Sequence, residues 1–572
     1  MADTMLHELT KGETVLEATG EIRLGDFLYK KGLLSEAQLA YALQKQSVEN
    51  ERLGSLLIQH GLVTEHEVAQ VLSGQLGIPF VEIGKLPSPD IGILKQFNRE
   101  LCLRLGFLPL TASEGRLTVV LGDADPNAVR EQVLRRTGLE TNFVQSVFTD
   151  VRQWIRQNFY FAENPIESLI KREITILADD VDHAYSPEHL LELLLHLAIR
   201  DRATDVHIAP SANSMHLLFR VDGVLRPALA MPMSLGRLLT YIKLNSEMDI
   251  AEQRRPQDGS FQTVILDSPY AVRVSTLISD AGERMVLRLL PERNNLAGLE
   301  QLGFRDSDVK RLKRVFAKPS GMLLITGPTG SGKSTTLHAA LRQQSLIERN
   351  VITIEDPIEY HIPAACQTEV NRRAGYDFGN ALPSFLRHDP DVILLGEIRD
   401  AETARSALDA AATGHLLLSS LHVSSIFGIV PRLRPMGLEP QMIADNLIAV
   451  INQRLVRQTC PHCGVAQIPT DEERAWLGEE YRETQIIRGL GCDRCGGSGY
   501  LGRLPLYEIL IVDEPIANAI ADDVGRAQLH KVALDNSSFT PLVEIARWRI
   551  AEGQTTPEEV ERVTGEGPGG LG

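Results

Sequence analysis

The stretch Met322-Leu323-Leu324-Ile325-Thr326-Gly327-Pro328-Thr329-Gly330-Ser331-Gly332-Lys333-Ser334-Thr335 decides how this chain is read. Its apolar opening predicts a buried strand, its glycines a loop, and residues 337–344 a helix. Four residues separate Gly327 from Gly332-Lys333-Ser334, which is the phosphate-binding-loop pattern. Gly327, Gly330 and Gly332, with Thr329 and Ser331 between them, let successive backbone N–H groups turn toward phosphate oxygens. The N-terminus of the helix beyond, entered through Thr335, adds a favourable dipole. In such a loop Lys333 reaches the β- and γ-phosphates of ATP, and the Ser334 hydroxyl meets Mg²⁺.

Three further apolar runs follow. Val351-Ile352-Thr353-Ile354 leads into Glu355-Asp356-Pro357-Ile358-Glu359. Val392-Ile393-Leu394-Leu395 leads into Gly396-Glu397-Ile398-Arg399-Asp400. Leu416-Leu417-Leu418 is bracketed by His415 and Ser419-Ser420-Leu421-His422. In a parallel sheet such strand ends share one edge with the phosphate loop. A single glutamate after a strand is usually a surface residue. Two acidic strand ends after a phosphate loop instead suit Mg²⁺ held through water and an oriented attacking water. Glu397 and Glu355 are therefore the catalytic candidates, with His415 and His422 as contacts to the γ-phosphate.

The net charge of −17, from 58 basic and 75 acidic residues, gives no global basic field for nucleic acid. No apolar run approaches the ~18–20 residues of a membrane span. Asp3, Glu8 and Glu13 interrupt any signal-peptide core, so a cytoplasmic compartment is expected. Four of the six cysteines form the pairs Cys460-Pro461-His462-Cys463 and Cys492-Asp493-Arg494-Cys495. Two such knuckles suit structural Zn²⁺ held by four thiolates, whereas a redox dithiol needs only one pair.

An internal repeat opens the chain. Arg23-Leu24-Gly25, through Leu39 and Leu43 to Gln46, recurs 29 positions later as Arg52-Leu53-Gly54, through Val68 and Leu72 to Gln75. The paired apolar positions fall at i, i+4 on helices, Ser35 and Thr64 start capping boxes, and Gly32 and Gly61 suit helix ends. Helical hairpins explain the leucines. They explain less well why arginine, glycine and glutamine repeat. Arginine forks onto phosphate or stacks on a base, and glycine admits close approach, so a ligand with two similar halves is suggested. Residues 77–160 read as an α/β unit with its clearest strand at Leu117-Thr118-Val119-Val120-Leu121, and residues 161–186 as a linker. Residues 190–199 read as an amphipathic helix. Beyond it, Arg220, Arg273 and Arg288 alternate with apolar residues on strands, which points them off one face.

The wording of these segments resembles the type II secretion and type IV pilus assembly ATPases. Glu355-Asp356-Pro357-Ile358-Glu359 is similar to that family's Asp box, residues 386–404 to its Walker B region, and Thr413-Gly414-His415 through Leu421-His422 to its His box. The repeat resembles the N-terminal domain of the MshE-type pilus ATPases, which binds cyclic di-GMP. The resemblance covers nearly the whole chain and implies a multidomain α/β protein. It places a flexible start at 1–20, a helical and α+β regulatory domain at 21–160, and an α+β, PAS-like domain at 187–300. A RecA-like core at 301–515 includes a zinc module at 457–503, and 516–572 hold C-terminal helices and a Gly-rich tail.

The resemblance further implies a homo-hexamer that hydrolyses ATP with Mg²⁺ to drive secretion or pilus assembly. Arginines 220, 273 and 288 would reach toward nucleotide. Cyclic di-GMP would sit on Arg23, Leu24, Gly25, Gln46, Arg52, Leu53, Gly54 and Gln75. An inner-membrane platform protein and a cytoplasmic-domain adaptor would hold the chain at the inner-membrane face, with no nucleic acid partner. Leu218, His388 and Val423-Ser424-Ser425 depart from the family pattern. The changes at 218 and 423–425 keep open a signalling protein that docks by nucleotide state with weak hydrolysis. A DNA-transfer ATPase runs against the acidic balance.

Overall fold

The computed structural model describes residues 23–180, 184–292, 298–344, 346–535 and 539–568, and the statements below concern these. The flexible start expected at 1–20 and the last of the tail, 569–572, lie outside them.

The strand read at 322–326 sits inside a sheet whose order is Cys366–Glu369, Val351–Glu355, Val392–Leu395, Leu416–Leu421, Gly321–Thr326, Leu447–Thr459, Tyr500–Ile511, Phe539–Thr540. From Cys366–Glu369 to Leu447–Thr459 neighbours run parallel; the last two pairings are antiparallel. All residues of Gly321–Thr326, Val351–Glu355, Val392–Leu395 and Leu416–Leu421 are buried. That is why their sequences are continuous apolar runs: helices cover both faces. Ile393 and Leu395 pack with the helices Phe378–Phe385 and Ala401–Ala412. Val392 and Leu394 pack with Asp306–Phe316, Lys333–Arg342 and Leu542–Ala551.

The chain forms two compact units, and their division departs from the expected domains. One unit is Ala69–Arg293; the other joins Glu21–Val68 to Asn294–Gly572. The repeat and the core belong together because they touch. Gln301 Nε2 donates to Thr64 Oγ1 at 3.2 Å, and Glu67 lies 3.9 Å from Arg342 on the phosphate-loop helix.

Within the Ala69–Arg293 unit, a sheet of Phe107–Ser113, Arg116–Leu121 and Glu140–Gln145 realises the expected α/β unit. A six-stranded antiparallel sheet follows, ordered Val224–Pro232, Ser214–Val221, Ala203–Pro210, Gly282–Pro291, Ser268–Ser279, Gln257–Ile265. The helix at Glu188–Arg200 is buried along most of its circumference, from Leu190 through Ala198, rather than on one stripe. The linker expected at 161–186 is corrected: Ile166–Asp179 is a helix with Ile166, Ile170 and Leu177 buried against this domain's core. Its apolar positions do recur at helical spacing, and the polar residues between them mask the pattern. Residues 181–183 lie outside the described set.

Candidate functional site

The phosphate loop turns on its glycines. Gly327, Gly330 and Gly332 have φ of 142°, 75° and 87°. A Cβ at Gly327 would meet Gln453 O at 2.3 Å, so this position needs glycine twice over. The helix begins at Lys333 itself, four residues before the expected start at 337, with Gly332 as its left-handed N-cap. Lys333 Nζ donates to Gly327 O and Pro328 O, both at 3.1 Å. Burial pushes this amine below the usual lysine value, and the Glu397 and Glu359 carboxylates oppose that shift. Gln453 braces the loop from the neighbouring strand: Nε2 donates to Ser331 O at 2.8 Å, and Oε1 accepts from Thr336 Oγ1 at 2.9 Å. Its place in a long strand gives no sign of this in the sequence.

Parallel register aligns the carboxyl ends of the strands. Thr326 pairs with Leu421, Leu395 with Ser419, and Ile354 with Leu395. Glu397, two residues beyond its strand, therefore meets His422, one beyond its own. Glu397 Oε2 lies 3.1 Å from His422 Nε2, and Oε1 accepts from Arg399 Nε. Arg372 and Arg399 flank Asp356, at 2.7 and 3.8 Å. Ser420 Oγ donates to Gly396 O at 2.8 Å and fixes the turn that carries Glu397.

Glu355 is 4% exposed and held by three side chains. Its Oε1 accepts from Thr353 Oγ1 at 2.8 Å and from Gln367 Nε2 at 3.0 Å; its Oε2 lies 2.9 Å from His338 Nε2. Burial would raise this carboxyl, yet His338, Thr353 and Gln367 hold it below the usual range. Burial would lower the His338 imidazole, yet Glu355 holds it above its ordinary value. Sequence reasoning missed His338. The one available signal is a polar residue inside the apolar run Leu337-His338-Ala339-Ala340-Leu341.

The structure does not bring His415 to this edge. It precedes its strand, with its carbonyl accepting from Gly321 N and Nδ1 against Ala410 O at 2.9 Å. The whole strand Leu416–Leu421, about 20 Å at the usual rise, separates it from His422. The expected contact to phosphate within this chain's own site is corrected accordingly.

In the Ala69–Arg293 unit, the three singled-out arginines share one row. Arg273 pairs with Arg288, Arg288 with Asp205, and Asp205 with Arg220. Arg288 Nε donates to Asp205 at 2.9 Å, and Arg220 Nε lies 3.9 Å from its other oxygen. Val272, Val274, Leu287, Leu289 and Phe219 fill the opposite, core-facing side.

The repeat places Arg23 and Arg52 at the N-caps of Leu24–Lys30 and Leu53–Gln59, both exposed. Both capping boxes form, Ser35 with Gln38 and Thr64 with Glu67. The glycines have a packing reason of their own. A Cβ on Gly25 would meet Leu39 at 2.7 Å and Leu53 at 3.1 Å; one on Gly54 would meet Leu24 at 3.2 Å. The two copies thus interlock, each leucine over the other's glycine. Gln46 donates to Glu51 O at 3.0 Å and braces the approach to Arg52. Gln75 lies in the unit that begins at Ala69. Leu43 is 48% exposed, so it does not share the buried face of its helix.

Cys460, Cys463, Cys492 and Cys495 converge, with all four sulfurs within 4.8 Å of one another. Cys460–Cys492, Cys463–Cys495 and Cys492–Cys495 stand at 3.8, 3.9 and 3.7 Å. A tetrahedral ion about 2.3 Å from each sulfur sets them about 3.8 Å apart, whereas a disulfide needs about 2.05 Å. The N–H groups of Cys492 and Gly499 donate to Cys495 Sγ at 3.1 and 3.3 Å, which favours a thiolate there. The donor set fits Zn²⁺.

The family model "Type II/IV secretion system protein" matches residues 180–562, and the MshEN domain model matches residues 76–165, adjoining the repeat. A type IV pilus assembly ATPase PilB of Thermus thermophilus is 36% identical over 506 residues, covering 86% of this chain and 57% of its own length. A type II secretion system protein E of Aeromonas hydrophila is 42% identical over 379 residues, covering 66% of this chain and 75% of its own. Among solved structures, the ATPase DotB of Yersinia pseudotuberculosis shares the fold, with a TM-score of 0.51 at 17% identity over 66% of this chain and 94% of its own.

Proposed function

This chain belongs to the type II/IV secretion system protein family, and from that premise we propose that it hydrolyses ATP to power type II secretion or type IV pilus assembly. The observation that carries the proposal is the parallel register that aligns the strand leading into the phosphate loop with the strand ends carrying Glu397 and His422, which meet at 3.1 Å. Lys333 binds the β- and γ-phosphates, and Ser334 offers its hydroxyl to Mg²⁺. Glu397 orients metal and water, and Glu355 polarises the attacking water. His422, on the Glu397 carboxylate, contacts the γ-phosphate.

Cyclic di-GMP is the regulatory ligand, on the arginines of the repeat; the MshEN match beside it supports this. Zn²⁺ is structural, since four thiolates leave no open position for catalysis. The working assembly is a homo-hexamer on an inner-membrane platform protein and its adaptor. No described helix is long and apolar enough to cross a membrane, so partners would supply the attachment.

Steady-state phosphate release by the full chain with ATP and Mg²⁺ tests the proposal. Lys333→Ala is expected to abolish it. Turnover at the wild-type rate by that variant overturns the assignment.

A further inference from the structure

His338 lies on the phosphate-loop helix, one turn beyond Ser334, and is 2% exposed. Its Nδ1 is hydrogen-bonded to Ser334 O at 2.8 Å, and its Nε2 makes an ion-pair contact with Glu355 Oε2 at 2.9 Å that is not aligned as a hydrogen bond. The carboxylate beside the ring favours its charged form. The Tyr360 ring closes the site edge-on at 5.2 Å. Glu355 is thus gripped from three elements: its own strand through Thr353, the edge strand through Gln367, and the phosphate-loop helix through His338. Of these, His338 alone joins the carboxylate to the element that carries Lys333 and Ser334. An apolar residue here would leave Oε2 buried without that partner, at the cost of an unmet acceptor.

We propose that His338 is a positioning residue for ATP hydrolysis, which sets the place of the Glu355 carboxylate from the same helix that holds the nucleotide. The proposal rests on the reading of Glu355 as the group that polarises water. A residue that touches Glu355 and not the nucleotide is expected to act on the chemical step, which lowers kcat with KM little changed.

The test is steady-state phosphate release by the full chain carrying His338→Ala, His338→Gln, Glu355→Gln, and His338→Ala with Glu355→Gln. His338→Ala is expected to lower kcat about tenfold or more with KM for ATP changed less than about twofold. His338→Gln keeps an N–H donor and is expected to recover part of that loss; it also carries the test if the alanine variant does not fold. In the Glu355→Gln background, the alanine change is expected to cost nothing further. Wild-type kcat in His338→Ala, a KM that rises in step with the fall in kcat, no recovery with glutamine, or an equal loss in both backgrounds overturns the inference. Wild-type turnover in Glu355→Gln overturns the reading of Glu355 and the inference with it. An impaired Glu355→Gln beside an unimpaired His338→Ala overturns the inference alone.

Discussion

Glu397 is shared between an imidazole and a guanidinium, His422 on one oxygen and Arg399 on the other. Residues of this kind were legible because a strand, a short turn and a charged group follow in order. His415 was not, because the glycine before it marks the start of a strand and not the end; the same residue type at the other end of six residues serves a different edge. His338 and Gln453 were illegible for another reason. Each sits inside a buried element where a polar side chain reads as packing, and only the fold shows what it meets. The repeat makes the opposite point. Its glycines are explained by interlocked leucines, which leaves the exposed arginines as the part that packing does not account for. Arg23→Ala and Arg52→Ala are each expected to weaken cyclic di-GMP binding about tenfold or more in calorimetry, as loss of a charge-assisted contact to phosphate would. Unchanged affinity in both would assign the repeat to structure alone.

At the scale of elements, the long antiparallel pair Leu447–Thr459 and Tyr500–Ile511 leaves the core sheet, and the cysteine knuckles close it beyond residue 459. The knuckles were legible as a ligand set from spacing; the sheet that they extend was not, because its two strands are distant in sequence. Cys495→Ser is expected to reduce bound zinc from one equivalent to a substoichiometric amount and to lower the thermal midpoint; metal analysis and a melting curve check this. The helix Pro557–Thr564 is clamped to the same strand. Glu559, 1% exposed, accepts from Arg457 at 2.7 Å and from Arg562 at 2.7 Å. Burial would raise its carboxyl, but these guanidinium groups hold it below the usual range. A carboxyl whose folded value is depressed contributes stability above its unfolded value, about 4.3, and loses it as pH falls through the folded value. The midpoint of the wild type is therefore expected to drop more steeply between about pH 6 and pH 3 than that of Glu559→Gln.

For the molecule as a whole, the order of the parts was legible and their grouping was not. Local pattern announces a strand or helix, yet which of them bury one another depends on contacts between distant residues. Thr64 with Gln301 and Glu67 near Arg342 join the repeat to the core across more than two hundred residues. The helix Ile166–Asp179 reads as a linker in the sequence because its partner surface lies in another segment. A nucleotide held by the loop at 327–335 is expected to meet Glu397 at the sheet edge and to be cleaved there. The measurement that bears on it most directly is a cryo-EM map of the full chain with Mg²⁺ and a non-hydrolysable ATP analogue. The β- and γ-phosphates are expected against Lys333 Nζ and the loop N–H groups, with Ser334 and Glu397 on the side of the metal. A nucleotide bound away from the loop, or its phosphates turned away from Lys333 and Glu397, would contradict it.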